Sequence, residues 1–181
     1  MTERPSPTVR AVTAADVPAT SLTLAKAFAD DPVKLFLAGG RQLPVERVAP
    51  FFRVMQTIQL RHGLVATTDD RAAAAIWAAP GHWKIPFRTI ARHTATFVRL
   101  YGWRFLPNLT VLADMEKVHP HEPHYYLEIL GTDPAHQGRG LGTALMAPMI
   151  ERADREGVGV YLESSKESNV AYYSVRLHGH A

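Results

Sequence analysis

The chain has 181 residues, of which 46% are apolar and 20% charged, and its 20 basic and 17 acidic side chains leave a formal net charge of +3. This length and apolar content are typical of one globular domain with a packed core, and they exclude an intrinsically disordered protein. The sequence contains no cysteine, which excludes a disulfide scaffold, a thiolate metal site and a cysteine nucleophile.

No segment has the pattern of a membrane span or a secretory signal. The longest apolar run, residues 72–79, is far shorter than the ~20 residues that a membrane-spanning helix needs. Residues 1–10 lack the apolar core of a signal peptide. Basic residues over 84–104 are interleaved with aromatic ones, which is typical of the solvated face of an amphipathic helix. We therefore expect a cytoplasmic protein with no membrane or nucleic-acid partner.

The chain is predicted to begin with a flexible tail over residues 1–7 and a short strand over residues 8–12. Thr13 and Asp16 have the spacing of a capping box, so a helix should follow them. That helix should end before Pro32, because the residue preceding a proline disfavours helical dihedral angles.

A second helix is predicted over residues 44–62, with Pro50 either kinking it or lying in its first turn. Residues 64–67 and 72–79 flank a segment with the composition of a hairpin turn, which indicates two antiparallel strands. The alanine run of the second strand could equally form a helix by propensity. Its short length, and the Pro-Gly pair that follows it, favour the strand.

Residues 87–118 repeat their apolar positions at helical spacing. The pattern is interrupted near Gly102 and Pro107, so two helices are predicted here, in an insert that would line a pocket. The last part of the chain reads as a strand, a helix, a strand and a short helix, over residues 125–132, 141–157, 158–163 and 169–177. Together these elements predict a mixed α/β domain, with a central mixed sheet flanked by helices.

Closely spaced glycines follow the strand over residues 125–132. Gly138, Gly140 and Gly142 open a helix, where backbone N–H groups can converge on a phosphate with the help of the helix dipole. The dinucleotide fingerprint G-x-G-x-x-G fails because its last glycine is replaced by Thr143, and the P-loop pattern fails as well. The pattern that fits is Q-x-x-G-x-G, beginning at Gln137.

This segment resembles the acyl-CoA pyrophosphate loop of the GNAT superfamily of acetyl-CoA-dependent N-acyltransferases. Residues 161–173 are similar to the L-E-x-S…N-x-x-(F/Y)-Y stretch of the same superfamily, and residues 8–32 resemble especially its puromycin N-acetyltransferase branch. The resemblance implies a single GNAT-like domain over residues 8–181. It also implies an N-acetyltransferase that moves an acetyl group from acetyl-CoA to an amine of a small molecule by direct transfer in a ternary complex.

The resemblance also assigns roles to residues. Asn169 and the glycine loop would bind the cofactor, the 130–132 backbone would hold its pantetheine arm, and Tyr173 would be the general acid, with Tyr172 as its competitor. The expected cofactor-binding set is Leu130, Gly131, Thr132, Gln137, Gly138, Arg139, Gly140, Leu141, Gly142, Thr143 and Asn169.

A carboxylate must take the proton of the attacking ammonium, and Glu128 on the predicted central strand is the first candidate. Strict alternation would place Glu128 and Leu130 on one face of that strand, opposite Leu127 and Ile129. Glu163 or a water chain is the alternative base, and Glu128 could instead be an exposed strand residue or an ion-pair partner.

The sequence departs from the family pattern after Tyr173, where the family has a Gly-Phe pair and two further strands. We therefore expect an incomplete C-terminal sheet edge. Either a partner subunit covers it, for which a homodimer is plausible, or the tail is a truncated or altered reading of a longer protein, or the acceptor half of the site is compromised. The departure also motivates an alternative function, a non-catalytic CoA-binding or regulatory module of the same fold.

His119, His121 and His124, with Glu122, form a local histidine cluster. Pro120 and Pro123 prevent a regular helix here, and the spacing of a compact metal site is not reproduced. We therefore expect a polar loop and no metal. His136, next to the glycine loop, is expected to be a spacer or a weak phosphate neighbour.

Overall fold

A computed structural model describes residues 7–167, 169, 172 and 173 of the chain. Its centre is a five-stranded mixed sheet whose strands lie side by side in chain order. The strands are β1 (Val9–Ala11), β2 (Val65–Thr68), β3 (Ala73–Ala78), β4 (His124–Thr132) and β5 (Gly159–Leu162). Neighbouring strands are antiparallel except for β4 and β5, which run parallel. The predicted mixed α/β fold and the predicted hairpin are therefore confirmed.

Seven α-helices are described, four before the chain reaches residue 93 and three after it. They are α1 (Val17–Ala27), α2 (Pro32–Leu37), α3 (Val45–Leu60), α4 (Phe87–Arg92), α5 (Thr94–Tyr101), α6 (Phe105–Val118) and α7 (Leu141–Glu156). Pro50 lies inside α3. No helix in the described part of the chain is long and apolar enough to cross a membrane.

The alanine run forms β3, and all six of its residues are buried. Ala74 and Ile76 pack with α1 and α3 on one face of the sheet. Ala75 and Trp77 pack with α7 on the other face. Burial on both faces explains why the strand has no polar alternation, and the small methyl groups let helices approach from both sides. Tertiary packing here overrides the helical propensity of alanine.

The predicted helical insert has more breaks than the sequence indicated. The break at Gly102 is confirmed, and this glycine has a φ of +62°. The break at Pro107 is wrong, because Pro107 lies in the first turn of α6, where its missing N–H would have no helical partner anyway. A break at His93, between α4 and α5, and the short helix α2 were not predicted.

A β-bulge in β4 overturns the predicted alternation of that strand. Ile76 pairs with Ile129 whereas Trp77 pairs with Leu127, so Glu128 is the extra residue. Leu127 and Leu130 consequently pack on the α7 side, and Ile129 packs on the α1 and α3 side. Glu128 and Leu130 therefore do not share a face, because an inserted residue reverses the period-two pattern beyond it.

Part of the C-terminal prediction lies outside the described residues. Of the helix predicted over 169–177, the structure describes only residues 169, 172 and 173. Within the described part of the chain, β5 is the last strand of the sheet. The incomplete edge, the homodimer, the flexible tail and the cytoplasmic location remain predictions.

Candidate active site

The candidate site lies where β4 and β5 separate. The last paired residues of these parallel strands are Leu127 and Leu162. From Glu128 to Thr132, β4 keeps its partner β3 but pairs with no strand on its β5 side among the described residues. A cavity of about 550 Å³ opens at this fork. Backbone groups on an unpaired strand edge are available to hydrogen-bond an extended ligand.

The cavity brings together residues that are far apart in the sequence. Of the predicted catalytic and cofactor-binding residues, those that line it are Glu128, Leu130, Gly131, Thr132, Gln137, Gly138, Gly140, Leu141, Gly142, Thr143, Asn169 and Tyr173. Arg139 is not part of the lining, and its guanidinium lies 3.5 Å from the carbonyl oxygen of Ala135. His136 lines the cavity, and its Nδ1 is buried with no hydrogen-bond partner among the described residues.

The glycine loop leads directly into α7. Gly138 and Gly140 have φ values of +73° and +76°, a left-handed conformation that glycine adopts at little cost. Gly140 is the N-cap residue of α7. The N–H groups of the first helical turn have no partner inside the helix and carry the positive end of its dipole. The loop thus has the donors and the charge for an anionic group.

Position 142 requires glycine because of a close side-chain contact, not because of its backbone conformation. A Cβ atom at this position would lie 2.7 Å from the hydroxyl oxygen of Tyr172. The same hydroxyl lies 3.2 Å from the Thr143 hydroxyl. The Tyr172 hydroxyl therefore packs against the start of α7, next to the glycine loop.

Gly131 allows α1 to pack closely against β4. A Cβ atom here would lie 2.9 Å from both the Ala27 and the Leu24 side chains. Ala27 and Phe28 also line the cavity, so this close approach forms one wall of it. Position 131 thus needs glycine for helix–sheet packing, a role that the local sequence did not indicate.

Glu128 is largely buried in the cavity wall. Burial raises the pKa of its carboxyl group to about 8, and the hydrogen bond from Gln59 acts in the opposite direction. Gln59 Nε2 lies 2.8 Å from Glu128 Oε1. A carboxyl group that ionises near neutral pH is suited to accept a proton from an amine.

Tyr173 also lines the cavity. Burial raises the pKa of its phenol to about 12, so the hydroxyl stays protonated at neutral pH. Its neighbour Tyr172 lies edge-on to it, with ring centroids 5.1 Å apart. Both tyrosines line the cavity, and Tyr172 is the one whose hydroxyl contacts the start of α7.

Comparison with known proteins identifies the family. A model of the acetyltransferase (GNAT) family matches residues 42–179. The chain belongs to this family. An N-acetyltransferase of Schizosaccharomyces pombe, described as uncharacterized, is 28% identical over 178 residues, which cover 90% of this chain and 70% of that protein.

Solved structures agree with this assignment. A Corynebacterium glutamicum protein, described as histone acetyltransferase HPA2 and related acetyltransferase, has 25% identity and a TM-score of 0.60, covering 94% of this chain and 83% of its own. Polyamine N-acetyltransferase of Drosophila melanogaster shares the fold, with a TM-score of 0.62 at 16% identity over 94% of this chain and 81% of its own. The GNAT chain is an acetyltransferase, and its place in the puromycin branch remains a prediction.

The acetyltransferase cavity has an acidic wall that sequence analysis described only in part. Asp31 and Glu163 line it together with Glu128. The Ser165 hydroxyl donates a hydrogen bond to Asp31, and Lys166 Nζ lies 2.8 Å from Asp30 Oδ1. These bonds join the segment after β5 to the segment before α2. Only the tertiary structure brings these segments together, so no sequence spacing could have indicated Asp31.

The histidine cluster of the acetyltransferase lies in the loop between α6 and β4 and at the start of β4, but two of its histidines are buried. His119 and His124 are 4% and 7% exposed, whereas His121 is exposed. Trp83, from a distant part of the chain, stacks on His119 with a centroid separation of 3.7 Å. Among the described residues, no group of three or more His, Asp and Glu residues could hold a metal ion.

Proposed function

We propose that this GNAT acetyltransferase transfers an acetyl group from acetyl-CoA to the amine of a small molecule, directly and within a ternary complex. The observation that carries the proposal is the fork between β4 and β5. It places Glu128 and Tyr173 in the same cavity as the glycine loop. A proton acceptor, a proton donor and an anion-binding loop are the three parts that such a transfer requires.

The glycine loop is proposed to bind the pyrophosphate of acetyl-CoA. The N–H groups of Leu141, Gly142 and Thr143 lie in the first turn of α7, and such groups are ready donors to phosphate oxygens. The unpaired edge of β4 from Leu130 to Thr132 would hydrogen-bond the pantetheine amides and polarise the thioester carbonyl. Asn169, which also lines the cavity, would contact the cofactor as well.

Glu128 and Tyr173 are proposed to handle the two proton transfers. Glu128 takes a proton from the acceptor ammonium, and the electron pair left on nitrogen forms the new bond to the thioester carbonyl carbon. The carbon–sulfur bond then breaks, and Tyr173 donates its phenolic proton to the departing thiolate. The acylated nitrogen gives up its second proton to the Tyr173 phenolate, so the amide forms and the phenol is restored. This chain has no cysteine, so an acetyl-cysteine intermediate on it is excluded.

The acidic wall favours a cationic acceptor. Asp31, Glu128 and Glu163 contribute carboxyl groups to one cavity, and an ammonium group is stabilised near carboxylates that are shielded from water. Suitable acceptors to test are puromycin, an aminoglycoside, agmatine and a polyamine. The Drosophila neighbour is a polyamine N-acetyltransferase by description, which supports including the last two.

Calorimetric titration with acetyl-CoA, combined with a free-thiol release assay over this amine panel, tests the proposal. Tyr173→Phe should lower kcat by about 100-fold and leave the Kd for acetyl-CoA within about twofold, because general acid catalysis typically contributes at least that much. Tyr172→Phe is the matched control. Because the Tyr172 hydroxyl contacts the start of α7, this variant should change the Kd for acetyl-CoA and leave kcat unchanged. Absence of acetyl-CoA binding by the folded chain would contradict the proposal, and full turnover by Tyr173→Phe would contradict the role of Tyr173.

A further inference from the structure

Two buried histidines form a direct ring-to-ring contact beside the cavity. Nε2 of His119 lies 2.9 Å from Nε2 of His124. Nδ1 of His124 lies 2.7 Å from the carbonyl oxygen of Glu122. Since both rings are buried, their hydrogen bonds are made with each other and with the protein rather than with bulk water.

These contacts determine which ring nitrogens carry protons. A carbonyl oxygen can only accept, so Nδ1 of His124 must be the donor to Glu122. A neutral His124 then presents Nε2 as an acceptor, and Nε2 of His119 must be the donor to it. A neutral His119 is therefore left with a lone pair on Nδ1.

The nearest cavity carboxylate to this nitrogen is Glu163. Nδ1 of His119 lies 3.7 Å from Oε1 of Glu163, so a proton could pass between them once the two atoms approach to hydrogen-bond distance. Tyr161 donates a 3.1 Å hydrogen bond to the same oxygen. Glu163 itself lines the cavity, so it connects the histidine pair with the space proposed for the substrates.

Aromatic rings surround His119 on the remaining sides. Trp83 stacks on its face, and Tyr126 and Tyr161 lie edge-on at centroid distances of 4.8 and 4.9 Å. The face of Trp83 stabilises an imidazolium when a proton arrives.

The titratable groups that affect the pKa of His119 are His124, Glu163 and Glu116. Glu116 is itself paired at 3.6 Å with Lys84. Burial and the neighbouring His124 lower the pKa of His119, while Glu163 and Glu116 act in the opposite direction. His119 is therefore neutral at rest and able to accept a proton.

We propose that His119 and His124 form a buried proton relay that acts through Glu163, and that it gives the acetyltransferase a second proton-accepting branch besides Glu128. The proposal rests on the function proposed above. The N–H bond of the acceptor ammonium breaks, its proton passes to the Glu163 carboxylate, and its electron pair stays on nitrogen. Glu163 then passes the proton to Nδ1 of His119 and is ionised again. After the products leave, the proton returns through Glu163 to solvent.

The relay would matter most below the pH at which Glu128 ionises. Burial raises the pKa of Glu128 to about 8, so only a minority of that carboxyl group is ionised and able to accept a proton at pH 7. His119 and His124 are positioning residues in this scheme, because only Glu163 reaches the cavity.

The first experiment compares kcat of the wild type and His119→Gln from pH 6 to 9 at saturating substrates. The ratio of wild type to variant should be about tenfold at pH 7 and fall below about twofold at pH 9, where Glu128 is ionised. His121→Gln, exposed on the same loop, is the matched control and should give a ratio near one throughout. A ratio for His119→Gln that does not change with pH, or that equals one at pH 7, would overturn the proposal.

The second experiment needs no turnover, so it remains informative if the proposed function fails. Long-range ¹H–¹⁵N spectra of histidine-labelled wild-type protein should show His124 protonated at Nδ1 and neutral His119 protonated at Nε2. Glu163→Gln should lower the pKa of His119, because the carboxylate raises it. A neutral His119 protonated at Nδ1 in the wild type would overturn the relay whether or not the variant folds. A pKa of His119 that does not respond in a folded Glu163→Gln variant would overturn it as well.

Discussion

The side-chain amide of Gln59 donates a 2.8 Å hydrogen bond to Oε1 of Glu128. Gln59 lies near the end of α3 and is 1% exposed, while Glu128 is the extra residue of the bulge in β4. A bulge redirects a side chain locally, and this one lets the carboxyl group meet an amide from another layer of the fold. The bond favours the ionised form of Glu128 against the effect of burial.

The Glu128 branch predicts a rate that increases with pH. The pKa of Glu128 is raised to about 8, so the base form is scarce below that pH and predominant above it. Gln59→Met removes the hydrogen bond to the charged form, so the pKa should increase and the rising limb of kcat should move to higher pH. Both the protein with Gln59 and the Gln59→Met variant are measured with His119→Gln also present, so that Glu128 is the only proposed proton acceptor left. If the pH dependence of kcat is the same in both proteins, Glu128 is not the group that accepts the proton.

Gly131→Ala should destabilise the fold. The added methyl group would lie 2.9 Å from Leu24 and Ala27 in α1, and overpacking of this kind typically costs ~1–3 kcal/mol. Gly159→Ala in β5 is the matched control, because its nearest neighbour would be 3.9 Å away, and it should change the free energy of unfolding by less than about 0.5 kcal/mol. Urea unfolding followed by circular dichroism measures both. Equal stability of the two variants would refute close packing at position 131.

Gly142→Ala should weaken acetyl-CoA binding. Its methyl group would lie 2.7 Å from the Tyr172 hydroxyl oxygen, so either the ring or the start of α7 must move. We expect the Kd for acetyl-CoA to increase by about tenfold, as for the loss of one good hydrogen bond. Adding Tyr172→Phe removes the colliding atom and should restore part of the affinity. A double variant that binds acetyl-CoA no more tightly than Gly142→Ala would show that the contact with Tyr172 is not what excludes a side chain at position 142.

Asp16 should make stability sensitive to acid. Its buried carboxylate accepts hydrogen bonds from Arg10, Thr13 and Arg71, and the bond from Arg10 is the main reason that its pKa lies far below the ordinary value. A lowered pKa in the folded state stabilises the fold above the unfolded pKa, and this contribution is lost as the pH falls below about 4.

Asp16→Asn should therefore lower Tm at pH 7, and its difference from the wild type should shrink steadily below pH 4. Asp154→Asn, at an exposed position on α7, is the control and should leave Tm unchanged. A constant Tm difference between Asp16→Asn and the wild type across this pH range would contradict the prediction. Thermal melts followed by circular dichroism from pH 2 to 7 supply the measurement.

Much of the fold could be predicted because its signals are local. The strand over 125–132, the helix that follows the glycine loop and the hairpin were each indicated by periodicity and turn residues, and each is confirmed in the structure. Gly138 and Gly140 were likewise singled out by their spacing, and the structure shows that both adopt a left-handed conformation. In each case a few neighbouring residues are sufficient to favour one backbone conformation.

The arrangement inside the cavity depends on contacts between segments that are distant in the chain. The bulge at Glu128 follows from the pairing of β4 with β3, and no local pattern marks it. Gly142 is confined by Tyr172, and His119 is covered by Trp83. The sequence by itself therefore determined most of the order of the elements and the position of the glycine loop, because neighbouring residues decide these. Only the tertiary structure decided which side chains share the cavity and how their protons are held, because burial and long-range contacts decide both.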